Sequence, residues 1–260
     1  MMKMSAGALL AAGLWPGALV AQDAAAPDIE FVWVNDLHYW DQTDLTFFNR
    51  MVEKMKGASP ASKLLIVGGD LSEHGTEAEL TQVRDLIKTV DKPFKVVIGN
   101  HDSVSQTDRK PYETIYPESL NYAFEHGGWQ FVALDCSNGT RATVSALKPT
   151  LDWVGENLSK LDKRRPMILY THFPLGQGVT NRVRNADDVL APFKEYNIRA
   201  VFGGHHHAYT ERTVGDYLIT TNKCCSARAN NHDGTPEKGF FACGTKAGKV
   251  MRTFVEVPKA

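Results

Sequence analysis

Hydrophobic and polar positions along the chain predict strands that alternate with helices. Short runs of β-branched and aliphatic residues are typical of buried strands, and they occur at 31–34, 64–67, 96–98, 167–169 and 200–202. Apolar residues at helical spacing predict helices over 43–57, 76–90, 146–163 and 187–197. Up to residue 202 the pattern is therefore that of an α/β fold.

The pattern becomes richer in strands towards the end of the chain. Strands are predicted over 217–221, 239–245 and 250–257, with glycine-rich turns between them. Two further runs, 122–126 and 129–135, are split by Gly127-Gly128, which predicts a hairpin that belongs to a second sheet. No repeat or interdomain linker interrupts the pattern, so we expect a single domain over 29–260.

Each of the first five predicted strands is followed by a short polar string. The strings are Asp36-Leu37-His38, Gly69-Asp70, Gly99-Asn100-His101-Asp102, Thr171-His172 and Gly204-His205-His206-His207. Ligands of open α/β sheets bind in the crevice beyond the carboxyl ends of the strands. Carboxylate, amide and imidazole groups gathered there suit two divalent metal ions. The sequence therefore predicts a dinuclear metal hydrolase.

The spacing within the strings supports this prediction. Asp36 and His38, like His205 and His207, are two residues apart, so both members of a pair project the same way from an extended strand end. Two metal ions about 3.5–4 Å apart need an anionic bridge. Asp70 is the candidate bridge, since it follows two glycines that allow a close approach.

The order of the strings, D-x-H, G-D, G-N-H-[DE], a lone His and G-H-x-H, resembles that of the calcineurin-like metallophosphoesterase family. The match extends from Ile29 to the strand after His207. The resemblance implies a four-layer α/β/β/α sandwich, with two mixed sheets flanked by helices. It also implies two divalent metal ions (Mn, Fe or Zn), the first held by Asp36, His38, Asp70 and His207, the second by Asp70, Asn100, His172 and His205.

The resemblance also implies a reaction. A hydroxide made by metal activation of water would attack a small phosphorylated substrate, a phosphodiester or a phosphomonoester. His101 would be the general acid, with Asp102 as its orienting partner; capping of the following turn is the alternative for both residues. Glu73 stands where purple acid phosphatases have a tyrosine, so Asp70-Leu71-Ser72-Glu73 is closer to bacterial class III cyclic-nucleotide phosphodiesterases.

Substrate contacts are expected from loops at the strand ends. The candidates are Tyr39, Trp40, Arg182 and Arg184. The aromatic pair would stack on a base or alkyl group or, alternatively, pack on the first helix. The arginines would bind a phosphoryl oxygen. Among the other histidines, His74 is a candidate neighbour of the ligands, whereas His126, His206 and His232 are left without a role.

Two other classes of function remain open: an inactive metal-binding scaffold, and a dinuclear hydrolase of a non-phosphate ester or an amide. Composition is that of a globular protein, with 260 residues, 43% hydrophobic and 23% charged. The net charge of −1 has no basic bias, so no nucleic-acid-binding surface is indicated. The sequence leaves the physiological substrate, the native metals and the oligomeric state undetermined.

The first 21 residues differ from the rest. They hold one charge, Lys3, and an apolar stretch over 6–20 that ends in the small-residue cleavage signal Leu19-Val20-Ala21. The stretch is short for a membrane span and predicts a signal peptide at 1–21, of the Sec type or a truncated twin-arginine type. Residues 22–28 would be a short leader of a secreted, periplasmic or extracellular protein without a transmembrane segment in the mature chain.

The four cysteines are Cys136, Cys224, Cys225 and Cys243. They lack C-x-x-C spacing, which argues against a structural zinc site. A disulfide between adjacent cysteines is strained, so pairing of Cys224 or Cys225 with Cys243 is predicted instead. Cys136 ends an apolar strand and is expected to be a buried small hydrophobe.

Overall fold

Strands and helices alternate from the first strand to the seventh, except at one hairpin between the fourth and fifth strands, as the hydrophobic pattern predicts. The computed structural model describes residues 27–58 and 61–259. The strands are β1 (Glu30–Val34), β2 (Leu65–Val67), β3 (Phe94–Val96), β4 (Tyr122–His126), β5 (Trp129–Ala133), β6 (Met167–Tyr170), β7 (Ile198–Gly203), β8 (Thr210–Val214), β9 (Tyr217–Thr221), β10 (Gly239–Lys246) and β11 (Lys249–Glu256). The helices are α1 (Leu45–Ala58), α2 (Glu77–Lys88), α3 (Lys110–Ile115), α4 (Lys148–Asn157) and α5 (Ala186–Leu190).

The predicted signal peptide, 1–21, lies outside the described residues, as does most of the 22–28 leader. Within the described part, no helix combines the length and the apolar character that crossing a membrane requires.

The strands form two mixed sheets. The first has the order β11-β10-β1-β2-β3, in which β1, β2 and β3 run parallel, β10 is antiparallel to β1, and β11 is antiparallel to β10. The second has the order β4-β5-β6-β7-β9-β8, with a parallel centre and an antiparallel strand at each edge. The predicted hairpin is β4–β5, and it lies at the edge of the second sheet.

The two sheets pack face to face through aromatic side chains. Phe31 of β1 contacts Phe131 and Phe202 of the second sheet, with ring centroids 5.7 and 5.8 Å apart. Trp33 contacts Tyr170 at 6.0 Å. Helices α1, α2 and α3 bury apolar residues on the outer face of the first sheet, and α4 and α5 do so on the second. The four-layer α/β/β/α sandwich is therefore confirmed.

Some element bounds differ from the sequence prediction for identifiable reasons. The helix expected over 187–197 is α-helical only to Leu190 and continues as a 3-10 helix over Ala191–Glu195, because Pro192 lacks the N–H that an α-helix needs. The helix expected over 146–163 is α4 followed by a 3-10 turn, Leu158–Lys160. The third strand ends at Val96 and not at Ile98.

Two elements were not predicted. Helix α3 has six residues and one fully buried side chain, Tyr112, which is too little for a helical pattern to emerge. Strand β8 is exposed along most of its length, so it lacks the apolar residues that mark buried strands. Its position is set by backbone pairing with β9.

The predicted disulfide is wrong: all four cysteines are free and buried. Cys225 lies in the core between the first sheet and its helices, whereas Cys243 lies in the core between the two sheets. Cys224 makes a hydrogen bond and no disulfide: its Sγ accepts from Lys238 Nζ at 3.1 Å. Cys136 is buried as expected.

Candidate metal centre

The polar strings meet at the carboxyl edge where the two sheets face each other. The loops after β1 and β2 run side by side, because the amides of Asp36, His38 and Tyr39 donate to the carbonyls of the segment that starts at Gly69. The distances are 3.0 Å from Asp36 to Gly69, 2.9 Å from His38 to Asp70 and 3.1 Å from Tyr39 to Leu71. This pairing places the side chains of three predicted ligands in one crevice. The second sheet supplies its histidines from the loops after β6 and β7.

The backbone at these loops is unusual. Five of the predicted ligands have positive φ angles, a conformation that costs residues other than glycine energy and that occurs preferentially at functional sites. They are Asp36 (54°), His38 (48°), Asp70 (50°), His205 (60°) and His207 (46°). The strain is maintained by the surrounding packing, since all five residues are buried.

Two glycines allow the loops to approach one another. A Cβ on Gly99 would lie 2.1 Å from Asp70 Oδ1, and a Cβ on Gly69 would lie 2.6 Å from His172 Nδ1. Any side chain at these positions would push the carboxylate or the imidazole out of place. The glycines of the polar strings are therefore required by space.

The structure brings together one group of possible ligand atoms from Asp36, His38, Asp70 and His207, all within 4.8 Å of one another. His38 Nε2 is 3.1 Å from His207 Nε2 and 3.5 Å from Asp70 Oδ2. His207 Nε2 is 3.3 Å from Asp36 Oδ1. This group is the set predicted for the first metal ion.

A second group combines Asp70 with His172 and His205, again within 4.8 Å. Asp70 thus belongs to both groups, as a bridging carboxylate must. Two buried atoms here have no hydrogen-bond partner within the described residues: Asn100 Oδ1 and His172 Nε2. His172 Nε2 is 3.2 Å from Asp70 Oδ2 without hydrogen-bond geometry. Buried polar atoms are rarely left unpaired, so a metal ion fits this donor set.

In each of the four histidines that are candidate metal ligands, one ring nitrogen is hydrogen-bonded to an acceptor. His38 Nδ1 is 2.7 Å from Glu73 Oε2, and His172 Nδ1 is 2.8 Å from the Gly68 carbonyl oxygen. The corresponding bonds are from His205 Nε2 to the Ala142 oxygen (2.8 Å) and from His207 Nδ1 to the Asn230 oxygen (3.0 Å). Such bonds fix the tautomer and leave the other ring nitrogen as the ligand atom.

Burial and neighbouring charges shift the pKa values of these residues in opposite directions. Burial alone would raise the pKa of Asp36 and Asp70, but neighbouring imidazoles outweigh it and hold both pKa values below their usual range. Burial alone would lower the pKa of His172 and His207, but the carboxylates raise these pKa values to about 9 and about 11. The carboxylates are therefore ionised and the crevice favours positive charge. His205, with burial dominant, has its pKa lowered to about 4.

His101 lies beside the ligand groups and is partly exposed. Its ring is 4.6 Å from that of His38, and its backbone amide donates to Asp70 Oδ1 at 2.9 Å. Nδ1 of His101 is 2.9 Å from the Glu73 carbonyl oxygen, which leaves Nε2 as the nitrogen available to a substrate. Burial lowers the pKa of His101, whereas the negative charge of Asp70 raises it, and the net shift is upward. A raised pKa favours the protonated form of the imidazole, which a general acid needs.

Among the described hydrogen bonds, Asp102 does not contact the His101 ring that it is predicted to orient. The carboxylate of Asp102 accepts from the backbone amides of Leu71 (2.8 Å), Ser72 (3.0 Å) and Gly99 (2.8 Å). It therefore ties the loop after β2 to the loop after β3, a role nearer to the capping alternative. The carbonyl of Glu73 takes the place expected for Asp102 as the hydrogen-bond partner of His101.

The substrate candidates are dispersed. Tyr39 is buried and packs on Phe48 of α1 at 5.7 Å, so the packing alternative holds for it. Trp40 is 46% exposed, and the Arg228 guanidinium lies over its ring at 4.9 Å.

The two arginines of the 176–188 loop are not brought to the ligand groups. Arg182 is bonded to the Leu175 carbonyl and to Asp187. Arg184 has an exposed side chain, and its amide donates to Val144. Neither residue has a contact with the ligand groups among the described hydrogen bonds and ion pairs.

The sequence does not reveal two residues near the metal centre, Glu73 and His232. It also suggests His74 as a neighbour of the ligands, but the hydrogen bond of its side chain is made elsewhere. Glu73 stands out in the sequence only as a departure from tyrosine, although it contacts both His38 and His101. His232 stacks on His207 with centroids 4.7 Å apart, and no local pattern marks it. His74, a candidate neighbour of the ligands, instead pairs with Glu79 at the start of α2.

Comparison with known proteins agrees with this geometry. A Synechococcus protein named as a probable cyclic nucleotide phosphodiesterase is 27% identical over 184 residues, covering 69% of each chain. A protein of Arcobacter nitrofigilis named as a probable glycerophosphodiester phosphodiesterase is 24% identical over 209 residues, covering 73% of this chain and 76% of its own. A dimetal phosphatase structure from Danio rerio superposes with a TM-score of 0.63 at 14% identity, covering 87% of this chain and 98% of that one.

The family comparison covers most of the chain. Residues 29–209 match the model of the calcineurin-like phosphoesterases, and this range contains every residue of the two ligand groups. The chain therefore belongs to the calcineurin-like phosphoesterase family and is a metal-dependent phosphoester hydrolase.

Proposed function

We propose that the protein is a dinuclear phosphodiesterase. The observation that carries the proposal is the position of Asp70, whose carboxylate belongs to both ligand groups. The first metal ion would be held by Asp36, His38, Asp70 and His207. The second would be held by Asp70, Asn100, His172 and His205, which accounts for the unpaired Asn100 Oδ1 and His172 Nε2.

The metal ions, when bound, supply activation of water and neutralisation of charge on the phosphoryl group. Mn, Fe and Zn all suit a set of oxygen and imidazole donors. His101 would give the proton from Nε2 to the leaving oxygen, which the contact of its Nδ1 with the Glu73 carbonyl supports.

A diester substrate is supported by the relatives, whose names refer to cyclic nucleotides and to glycerophosphodiesters. Among the four substrate candidates, Trp40 is the one that we retain. It is exposed, it follows the ligand His38 by two residues, and Arg228 holds its ring. Such an aromatic surface suits a planar group on the substrate.

Two alternatives are less well supported. An inactive scaffold would be expected to lack a ligand or the acid, yet every predicted ligand and His101 are present. Hydrolysis of a non-phosphate ester or amide has no support among the relatives. Export to the periplasm or the exterior remains our proposal on the strength of the 1–21 pattern alone.

The decisive experiment is an activity panel on the purified protein loaded with Mn²⁺. The substrates would be bis-p-nitrophenyl phosphate, p-nitrophenyl phosphate, 3′,5′-cyclic AMP and glycerophosphocholine. We expect hydrolysis of at least one diester with a higher kcat/KM than the monoester. Preference for the monoester would contradict the diesterase proposal, and no turnover of any substrate with both metals bound would favour the scaffold.

A further inference from the structure

Glu73 lies between the first ligand group and His101 and is bonded to both. Its carboxylate oxygen Oε2 is 2.7 Å from His38 Nδ1 and 3.7 Å from His101 Nδ1. Its carbonyl oxygen is 2.9 Å from the same nitrogen of His101. One residue thus supplies the acceptors for a candidate metal ligand and for the candidate acid.

The backbone fixes Glu73 in this place. Its amide donates to the Tyr39 carbonyl at 2.9 Å, which extends the pairing between the loops after β1 and β2. Because His38 belongs to the same paired loop, the carboxylate and the imidazole are held in register by the main chain. The side chain of Glu73 is 24% exposed, so most of its surface is covered by the protein.

We propose that Glu73 is a positioning residue, whose carboxylate orients His38 for metal binding while its carbonyl sets His101 beside the same metal position. This inference rests on the proposed function. A carboxylate on Nδ1 fixes the tautomer of His38, increases the basicity of Nε2 and directs it towards Asp70 and His207. The Glu73 carbonyl holds His101, so one residue positions both the candidate acid and a candidate ligand of the first metal ion.

A different role for the same atoms would be a third metal position, because His38, Glu73 and His101 also lie within 4.8 Å of one another. The nitrogens that lie near the Glu73 carboxylate are Nδ1 of both histidines, and both are already hydrogen-bonded to Glu73. Binding there would also make His38 ligate two ions through its two nitrogens. The hydrogen-bonded arrangement needs neither change, so we favour the positioning role.

The test compares Glu73→Ala and Glu73→Gln with the parent protein by calorimetric titration of Mn²⁺. Loss of the acceptor in Glu73→Ala should weaken Mn²⁺ binding by about 10–100-fold, the usual effect of removing such a partner. Glu73→Gln keeps an oxygen that accepts from Nδ1 and should recover most of the affinity.

The matched control is His74→Ala, which removes an equally short contact, the 2.7 Å bond to Glu79, from the next residue of the same loop. It should leave Mn²⁺ affinity unchanged. Thermal unfolding of the metal-free variants establishes that each is folded.

Two results would overturn the inference. One is Glu73→Ala with the affinity of the parent, and the other is a parent that binds three Mn²⁺ ions of which Glu73→Ala loses one. The titration does not depend on turnover, so its failure is distinct from failure of the proposed function. Parent protein that binds two ions but hydrolyses no phosphoester would refute the function while the effect of Glu73 on binding could still be measured.

At saturating Mn²⁺, Glu73→Ala should recover most of the kcat of the parent, because the main-chain carbonyl that holds His101 is still present. A kcat of Glu73→Ala that stayed far below the parent at saturating metal, with Glu73→Gln restored, would contradict the division of roles between the carboxylate on His38 and the carbonyl on His101.

Discussion

Asp70 is the residue on which the dinuclear proposal depends most. Neighbouring imidazoles hold the pKa of Asp70 below its usual range despite burial. Its Oδ1 accepts from the His101 amide, and its Oδ2 faces both His38 and His172. A neutral amide of the same shape would keep the packing but could not balance two cations a few ångströms apart.

We therefore expect Asp70→Asn to lose metal and activity together. Metal content after Mn²⁺ loading should fall below about one ion per chain, and kcat/KM should fall to background. Elemental analysis and the diester assay on the same samples measure both. An active Asp70→Asn protein that holds two metal ions would refute the bridging role.

The variant His101→Ala distinguishes a role in the reaction from a role in metal binding. The imidazole of His101 is held on Glu73 and lies outside both predicted ligand sets, so His101→Ala should keep near-normal metal content. The rate should fall by about 10²–10⁴-fold, the usual loss for a general acid. The loss should be smallest for p-nitrophenolate, which leaves without a proton, and largest for alkoxide leaving groups.

The measurement is kcat/KM of the parent and of His101→Ala across a series of leaving groups, with metal content determined in parallel. An equal loss for every leaving group would contradict the acid role. Loss of metal would instead make His101 a ligand.

At the scale of elements, the loops after β2 and β3 are joined by Asp102. Its carboxylate serves three backbone amides, and removing it would leave these donors buried without a partner. Each unsatisfied buried group costs about 1–3 kcal/mol. Since the loops carry Asp70 and Asn100, their anchoring also determines the geometry of the centre.

Asp102→Ala should therefore lower the free energy of unfolding by about 3 kcal/mol or more, without the leaving-group dependence expected of His101→Ala. Asp152→Ala is the control, because it removes an exposed carboxylate paired with Lys148, and such pairs contribute little. Urea unfolding of the metal-free proteins gives both values. If Asp102→Ala were as stable as the control, the anchoring role would be wrong.

The elements that sequence reasoning identified and those it missed differ in burial. Strands such as β1 and β6 are wholly or almost wholly buried, so their apolar runs are visible in the sequence. Strand β8 is mostly exposed and is placed by pairing with β9, which leaves no apolar pattern to read. The break of the helix at Pro192 could have been foreseen from the missing N–H.

The candidate centre followed from the sequence to the extent that its residues occur in short strings. The strings located the members of both ligand groups, because each string follows a buried strand. Contacts made by main-chain atoms, such as the Glu73 carbonyl on His101, leave no trace in residue types. For that reason the sequence indicates Asp102, the adjacent acid, as the partner of His101, whereas in the structure a carbonyl is its hydrogen-bond partner.

At the scale of the whole molecule, metal binding is coupled to protons. In the metal-free protein the pKa of His172 is about 9 and that of His207 about 11, raised by Asp70 and Asp36 against the effect of burial. Both imidazoles are therefore protonated at neutral pH, whereas a histidine must be neutral to bind a metal ion. His205, with a pKa of about 4, is already neutral.

Loading with Mn²⁺ near pH 7 should consequently release about two protons per chain, and affinity should rise with pH, more steeply below the pKa of His172 than between the pKa of His172 and that of His207. Raised histidine pKa values favour the protonated metal-free state at low pH, so acidification should expel the metal ions. Titration calorimetry in buffers of different ionisation enthalpy counts the protons, and repeating it from pH 6.5 to 8.5 gives the slope. Mn²⁺ binding without proton release, or an affinity that does not change between pH 6.5 and 8.5, would show that the two imidazoles are neutral before the metal ions bind.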